Sequence, residues 1–346
     1  MAKRKLTRRQ AWRVEKIQQE RADRANQKNR RIDEQLEGGD LGPEQHGLII
    51  SHFGRQVDVE ALDGEHQGQI FRCHMRTNLG QLVTGDKVIW RMGAEHGVVV
   101  ATTERHSELV RPNPYGELKP VAANIDYIVV TVAVEPTPFA NLIDRYLVAA
   151  ELSQIEPVIL LNKTDLLNQD NREAIEQMLS EYTRIGYRVL HASTADQHGL
   201  DELKALLNHR ISAFVGQSGV GKSSLINALL PDADLKVGAL SEQTRKGRHT
   251  TTTARLFHFP DGGDLIDSPG IREFGLWHIE PQDLIEGFKE FRPHLGLCRF
   301  RDCKHEKEPG CAIKAAIETG DISQARANSY QHILTTLQDQ NTPYSV

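Results

Sequence analysis

Gly216-Gln217-Ser218-Gly219-Val220-Gly221-Lys222-Ser223 follows the apolar run Ile211-Ser212-Ala213-Phe214-Val215 and precedes Ser224-Leu225-Ile226-Asn227-Ala228-Leu229-Leu230. The order reads as strand, glycine-rich turn and amphipathic helix, the context that a phosphate-binding P-loop needs. Glycines let the backbone curl until several N–H groups face one anion, and the helix that follows adds the positive end of its dipole. In such a loop Lys222 reaches the β- and γ-phosphates and the Ser223 hydroxyl ligates Mg2+, so Gly216 to Ser224 form the expected phosphate-binding set. An ordinary glycine-rich turn is the plainer alternative. It does not explain why every specified position is filled and both flanking elements fit.

Upstream, from Asp126 onward, the pattern is that of an α/β domain. Apolar runs at 127–132 and 157–161 read as buried parallel strands and 142–152 as a helix between them. The second run ends in Asn162-Lys163-Thr164-Asp165, a guanine signal. The Asp165 carboxylate can accept from guanine N1–H and from the 2-amino group. Adenine offers neither donor and would leave the carboxylate unpaired, at a cost of about 1–3 kcal/mol. Lys163 is expected along the base, with Asn162 tying this loop to the P-loop. A helix at 173–185 and a strand at 188–191 then lead to Ala192-Ser193-Thr194, where Ser193 is expected at the other edge of the base.

Downstream of the P-loop, the polar segment 240–252 has the composition of a switch loop, with Thr250 or Thr251 expected to ligate Mg2+ once a γ-phosphate is present. Strands at 254–259 and 263–266 deliver Asp267-Ser268-Pro269-Gly270, with Asp267 expected in the Mg2+ shell and the Gly270 N–H at the γ-phosphate. The guanine motif thus precedes the phosphate motif, the reverse of the Ras-like order. A circular permutation accounts for this, because strands keep their places while old termini are joined and new ones open. The residue after Asp-x-x-Gly is Ile271, which cannot orient a water molecule as the glutamine of Ras-like enzymes does. His249 is the nearest candidate for that task, with Lys222, Thr250 and Thr251 completing the expected catalytic set and Arg245, Lys246 and Arg248 as possible charge stabilisers.

The rest of the chain surrounds this domain. Residues 1–31 hold twelve Lys or Arg against three Asp or Glu, although the whole chain of 346 residues has a net charge of -5. Such a leader cannot bury a core of its own, and clustered arginine favours phosphates, so RNA contact is expected of it. Between 46 and 109 short alternating runs at 47–51, 56–61, 69–74, 87–91 and 97–103 are separated by turn residues, which predicts an OB-like or SH3-like barrel. His52, Phe53, Arg55, Arg72, His74 and Arg76 could form an RNA-facing surface, yet Phe53 and Phe71 individually read as core, as does Cys73. No signal peptide or long apolar run is present, so a cytosolic protein without membrane contact is expected. Near the C-terminus Cys298, Cys303, His305 and Cys311 give C-x4-C-x-H-x5-C, a closed donor set suited to one structural Zn2+, with His294 as a substitute ligand. Helices at 312–319 and 322–338 should complete that module.

The order NKTD, GQSGVGKSS, GRHTTT loop and DSPG, with a basic leader, a barrel before and a cysteine–histidine cluster after, resembles the circularly permuted GTPases of small-ribosomal-subunit biogenesis, the RsgA or YjeQ family. The resemblance covers nearly the whole length. It implies a multidomain chain: leader 1–44, OB-like RNA-binding domain 45–110, permuted Ras-like GTPase domain 111–275 and zinc-binding module 276–346. It also implies a GTP hydrolase that cycles between GTP and GDP with Mg2+, binds the small subunit and its 16S rRNA as a monomer, is stimulated by that subunit and leaves after hydrolysis. Two other readings compete: a GTP-latched placeholder that does not hydrolyse, and a permuted GTPase of large-subunit assembly.

Overall fold

The computed structural model describes residues 41–54, 56–76, 79–113, 116–196, 198–231, 254–268, 271, 274–276 and 279–341. The basic leader up to residue 40, the switch segment with His249, Thr250 and Thr251, and Pro269-Gly270 lie outside the described residues. The chain separates into two compact units.

Strands β1 (Glu44–Phe53), β2 (Gln56–Ala61), β3 (Ile70–Met75), β4 (Lys87–Arg91) and β5 (Gly97–Thr102) follow the order β1-β2-β3-β5-β4; Ile49–Phe53 of β1 falls in the second unit and the rest of these strands in the first. Pairing of β1 with β4 closes the circle, with Gly47 opposite Val88. The result is a closed five-stranded barrel, in which closure removes the exposed sheet edges that an open sheet would carry. Strict alternation in β2, whose Val57, Val59 and Ala61 are buried, sends every second side chain inward. Trp90 fills the interior and is fully buried, and it stacks on Phe71 at 4.9 Å between centroids. Gly47 and Gly97 make room for it, because a Cβ at either position would run into the indole. Cys73 is fully buried beside it, and burial pushes its thiol up to about 12. Phe53 departs from the expectation of core: it is exposed at the last position of β1, just before the turn at Gly54.

The second unit contains Ile49–Phe53, Gln81–Asp86 and the described chain from Glu104 onward. A hairpin of β6 (Glu108–Pro112) and β7 (Leu118–Ala123) opens its long segment. Then come β8 (Tyr127–Ala133), α1 (Ala140–Leu152), β9 (Glu156–Asn162), α2 (Arg172–Ile185), β10 (Arg188–His191), α3 (Asp201–Leu207), β11 (Ile211–Val215), α4 (Lys222–Leu229), β12 (Arg255–His258) and β13 (Asp264–Asp267). Their sheet order is β10-β9-β8-β11-β13-β12, parallel except for β12. β8 and β11 are buried along their whole length because helices cover both faces. Leu203 and Leu207 of α3 and Leu225, Ile226 and Leu229 of α4 join Val129, Leu160 and Phe214 in one core. α1 packs on β8 and β9. The hairpin β6–β7 and the short α3 are elements that the sequence reading did not anticipate; α3 buries only Leu203 and Leu207, one helical repeat apart, too little for a periodic signal.

The C-terminal segment packs on α1. Helices α5 (Ala312–Thr319) and α6 (Gln324–Asn341) follow two short 3-10 turns, and α6 lies against α1. Phe288, Phe291 and Tyr330 form an aromatic cluster with centroids 5.1–5.5 Å apart. At its side Arg326, only 2% exposed, donates to Asp144 of α1 and through Nε to Glu290 at 2.6 Å. The Tyr182 hydroxyl of α2 donates to the same Asp144 at 2.7 Å. Burial opposes the Arg326 charge, but the Asp144 and Glu290 carboxylates outweigh it and raise its pKa above the ordinary guanidinium value. Removing one member of such a network leaves buried charge without a partner. Arg326→Ala should therefore cost about 3–5 kcal/mol in urea unfolding. A loss of about 1 kcal/mol or less, the range of a surface pair, would show that the network is dispensable.

Candidate active site and metal centre

In a parallel sheet the carboxyl ends of the strands share one edge, and that edge collects the predicted residues. β8 and β9 run in register with Ala133 opposite Asn162, β10 and β9 with His191 opposite Leu161, and β8 and β11 with Val130 opposite Val215. The loops after β9, β10, β11 and β13 therefore open on the same edge of the sheet, the one after β9 at the level of Ala133 and the one after β11 lower, at that of Val130. They carry Asn162 to Asp165, Ser193, Gly216 to Ser223 and Asp267.

The loop between β11 and α4 is shaped by its glycines. Gly216 has φ +143, and a Cβ there would run into the Thr131 carbonyl of β8. Gly221, at φ +91, is the left-handed N-cap of α4 and faces the Asn162 amide. The first turn of α4 has no side-chain cap, and Ser223 and Ser224 are exposed on it. A helix start without a side-chain cap is where an external anion can accept from the backbone. Lys222 Nζ donates to the carbonyls of Gly216 and Gln217, each at 2.6 Å. Val220 is buried, whereas Ser218 and Gly219 are exposed at the rim.

The loop after β9 is fastened to this turn. Asn162 Nδ2 donates to the Val220 carbonyl at 2.9 Å, and Lys163 Nζ to those of Gly219 and Glu135, both at 2.8 Å. Lys163 adopts φ +59, which turns the chain sharply at the end of the strand. Thr164 Oγ1 donates to the Ala192 carbonyl at 3.1 Å, so the loops after β9 and β10 are also joined. Ser193 Oγ donates to Asp165 Oδ1 at 2.5 Å and accepts from the Ala195 N–H at 3.1 Å. Asp165 itself stays exposed, with its carboxylate aimed by a buried serine. Asp267 ends β13, half-buried. Ile271 is 1% exposed and its N–H donates to Ser268 Oγ at 3.0 Å, so its side chain belongs to the core. The bridges made by Thr164 and by the Glu135 carbonyl had no signal in the sequence, because they depend on which loops become neighbours.

In the C-terminal segment, Cys298, Cys303, His305 and Cys311 bring their donor atoms within 4.8 Å of one another. His294 is not among them. Cys298 Sγ lies 4.0 Å from Cys311 Sγ, and His305 Nδ1 lies 3.5 and 3.4 Å from those two sulfurs. A tetrahedral zinc with ordinary bond lengths sets S–S edges of about 3.8 Å and S–N edges of about 3.5 Å. The residues present therefore fit that ion. The Ala312 N–H at the start of α5 points at Cys298 Sγ, 3.4 Å away, a donor that favours thiolate.

Fold and site together define a circularly permuted P-loop GTPase unit joined to a five-stranded barrel and a Cys3His module. The RsgA GTPase family matches residues 102–277. The small ribosomal subunit biogenesis GTPase RsgA of Hahella chejuensis is 58% identical over 342 residues, covering 99% of this chain and 98% of that protein. Its counterpart in Azotobacter vinelandii is 61% identical over 338 residues, covering 97% and 98%. Among solved structures, YloQ, described as a circularly permuted GTPase, aligns with TM-score 0.70 and 31% identity over 87% of this chain and 98% of its own. YjeQ from Thermotoga maritima aligns with TM-score 0.71 and 32% identity over 86% and 99%. The chain belongs to the RsgA GTPase family.

The left-handed turn at Gly216 gives a direct check on the phosphate loop. Gly216→Ala should lower unfolding stability by about 1–3 kcal/mol, because the added methyl meets a backbone carbonyl in a conformation that alanine disfavours. Urea titration of the nucleotide-free protein reads this loss, and an unchanged midpoint would contradict the turn described.

Proposed function

We propose that this chain is a GTP hydrolase acting in biogenesis of the small ribosomal subunit, which it binds through 16S rRNA, as a monomer in the cytoplasm. The observation that carries the nucleotide part is the tie between Lys163 and the Gly219 carbonyl, which sets a base-reading loop beside an uncapped helix N-terminus. The partner rests on the names of relatives that match over nearly their full length. The working division is leader 1–44, RNA-binding barrel 45–110, GTPase 111–275 and zinc module 276–346.

In this reading Gly216 to Ser224 hold the phosphates, and Lys222 exchanges the Gly216 and Gln217 carbonyls for phosphate oxygens. Asp165, aimed by Ser193, reads the two donors of guanine. Ser223, Asp267 and a switch threonine, Thr250 or Thr251, hold Mg2+, which when bound neutralises charge developing on the phosphates. The Gly270 N–H would donate to the γ-phosphate. Ile271 lies in the core and cannot orient water, so intrinsic hydrolysis is slow and waits on His249 and on the bound subunit. Subunit-stimulated hydrolysis then releases the protein. Cys298, Cys303, His305 and Cys311 hold one Zn2+ with no open position, a structural staple for a small module.

The buried Ile271 also favours a second reading, in which GTP acts as a latch and is not turned over. GTP turnover with small subunits, large subunits or neither separates these. Stimulation by small subunits alone is expected; equal slow rates in all three would favour the latch, and stimulation by large subunits would replace the partner. Asp165→Asn should weaken GDP binding about 10- to 100-fold, the loss of hydrogen bonds to a charged acceptor. Fluorescent-GDP titration with unchanged affinity would contradict the role given to Asp165.

A further inference from the structure

The loop that brings His305 to the three cysteines has an unusual backbone. His305 lies at φ +62, a left-handed conformation that a residue with a Cβ adopts only when its surroundings hold it there. Opposite that turn, Glu308 Oε1 accepts the Lys304 N–H at 3.1 Å, and Oε2 accepts the N–H groups of Glu306 and Lys307 at 3.0 Å each. A left-handed residue within a short run is what turns neighbouring N–H groups toward one point, forming a nest for an anion. Here the chain's own carboxylate occupies the nest.

We infer that Glu308 is the positioning residue for the fourth metal ligand: its carboxylate gathers the N–H groups of Lys304, Glu306 and Lys307 and so holds His305 where Nδ1 faces the Cys298 and Cys311 sulfurs. The inference rests on the reading of this cluster as a zinc site. Without the carboxylate, the three N–H groups have no common acceptor and nothing selects the left-handed turn. The loop then relaxes toward negative φ at His305 and carries the imidazole away from sulfurs that lie only 3.4–3.5 Å from it. The Glu308 backbone N–H and that of Lys304, with those of Lys307 and Glu306, hold its carboxyl down to about 2, so the anchor stays ionised wherever thiolates can bind metal. Glu308 is not among the four donors, and its place is that of the outer-shell carboxylates that orient ligating histidines, here through the backbone instead of the ring.

The test uses the full chain and zinc itself. Zinc affinity is measured by competition with a chromophoric chelator, and coordination by the visible spectrum of the Co2+-substituted protein. Glu308→Gln should weaken zinc binding about 10- to 100-fold and change the Co2+ spectrum toward loss of the imidazole. Glu308→Asp keeps the charge on a stem one methylene shorter and should fall between the two. Glu306→Gln removes the same charge two residues away without touching the nest, and should bind zinc as the parent does. A Glu308→Gln affinity within about threefold of the parent, below the range for outer-shell groups, would overturn the inference. So would an equal loss in Glu306→Gln, since charge alone would then explain both. A parent protein that binds no zinc would instead overturn the metal reading, and that result is visible before any variant is made.

Discussion

The Asn162 amide and the Lys163 ammonium donate to the carbonyls of Val220 and Gly219, and the organisation of the nucleotide-binding unit depends on that fastening. A base-reading loop and a phosphate loop serve one ligand only if their spacing is held to a fraction of an ångström. Here the loop after β9 and the glycine loop after β11 are separated by more than fifty residues, and the β9 loop comes first in the chain. Parallel register supplies the coarse placement, since β8, β9 and β11 present their carboxyl ends to one edge of the sheet. The side-chain donors supply the rest, and glycines at 216 and 221 keep the backbone clear of Thr131 and Asn162 so that the donors can reach. Permutation of the chain leaves this geometry untouched because hydrogen bonds depend on where atoms lie and not on the order in which they were synthesised.

The same permutation gives the C-terminal segment its place. The chain leaves the nucleotide edge after Asp267 and Ile271, and the segment that follows covers α1 with an aromatic cluster and a buried guanidinium. Arg326 joins Asp144 of α1 to Glu290, while Tyr182 of α2 donates to the same carboxylate, so two helices of the GTPase unit and the terminal helix share one polar centre. A centre of this kind contributes specificity of docking more than net stability, since each charge gave up its hydration to enter it. The Cys3His group lies in the same segment and is supported differently, by a backbone nest filled by Glu308 and by the first N–H of α5.

Local patterns were informative where a ligand dictates the residue types. Phosphate needs glycines and a lysine at fixed spacing, guanine needs a carboxylate at a strand end, and zinc needs thiolates and an imidazole close together, so Gly216 to Ser223, Asn162 to Asp165 and the Cys3His set stand out in the sequence as candidates. Apolar runs gave β8, β9 and β11 nearly to the residue, because strands buried on both faces leave little alternative. Short, half-exposed elements were harder. The β6–β7 hairpin and α3 bury too few side chains for a period to show, and Phe53 looks like core by composition yet is exposed where β1 runs out.

The amino-acid sequence by itself determined the plan: a permuted GTPase unit, a barrel before it and a Cys3His group that could hold a metal after it, since each follows from residue types at fixed local spacing. Only the tertiary structure decided which groups serve those residues. That Ser193 aims Asp165, that the Glu135 carbonyl receives Lys163, that Arg326 finds Asp144 and Glu290, and that Glu308 gathers the N–H groups around His305 are facts of proximity. Hydrogen bonds act over about 3 Å and carry no mark in the sequence of the partner they will meet, so the chain had to fold before those partners were defined.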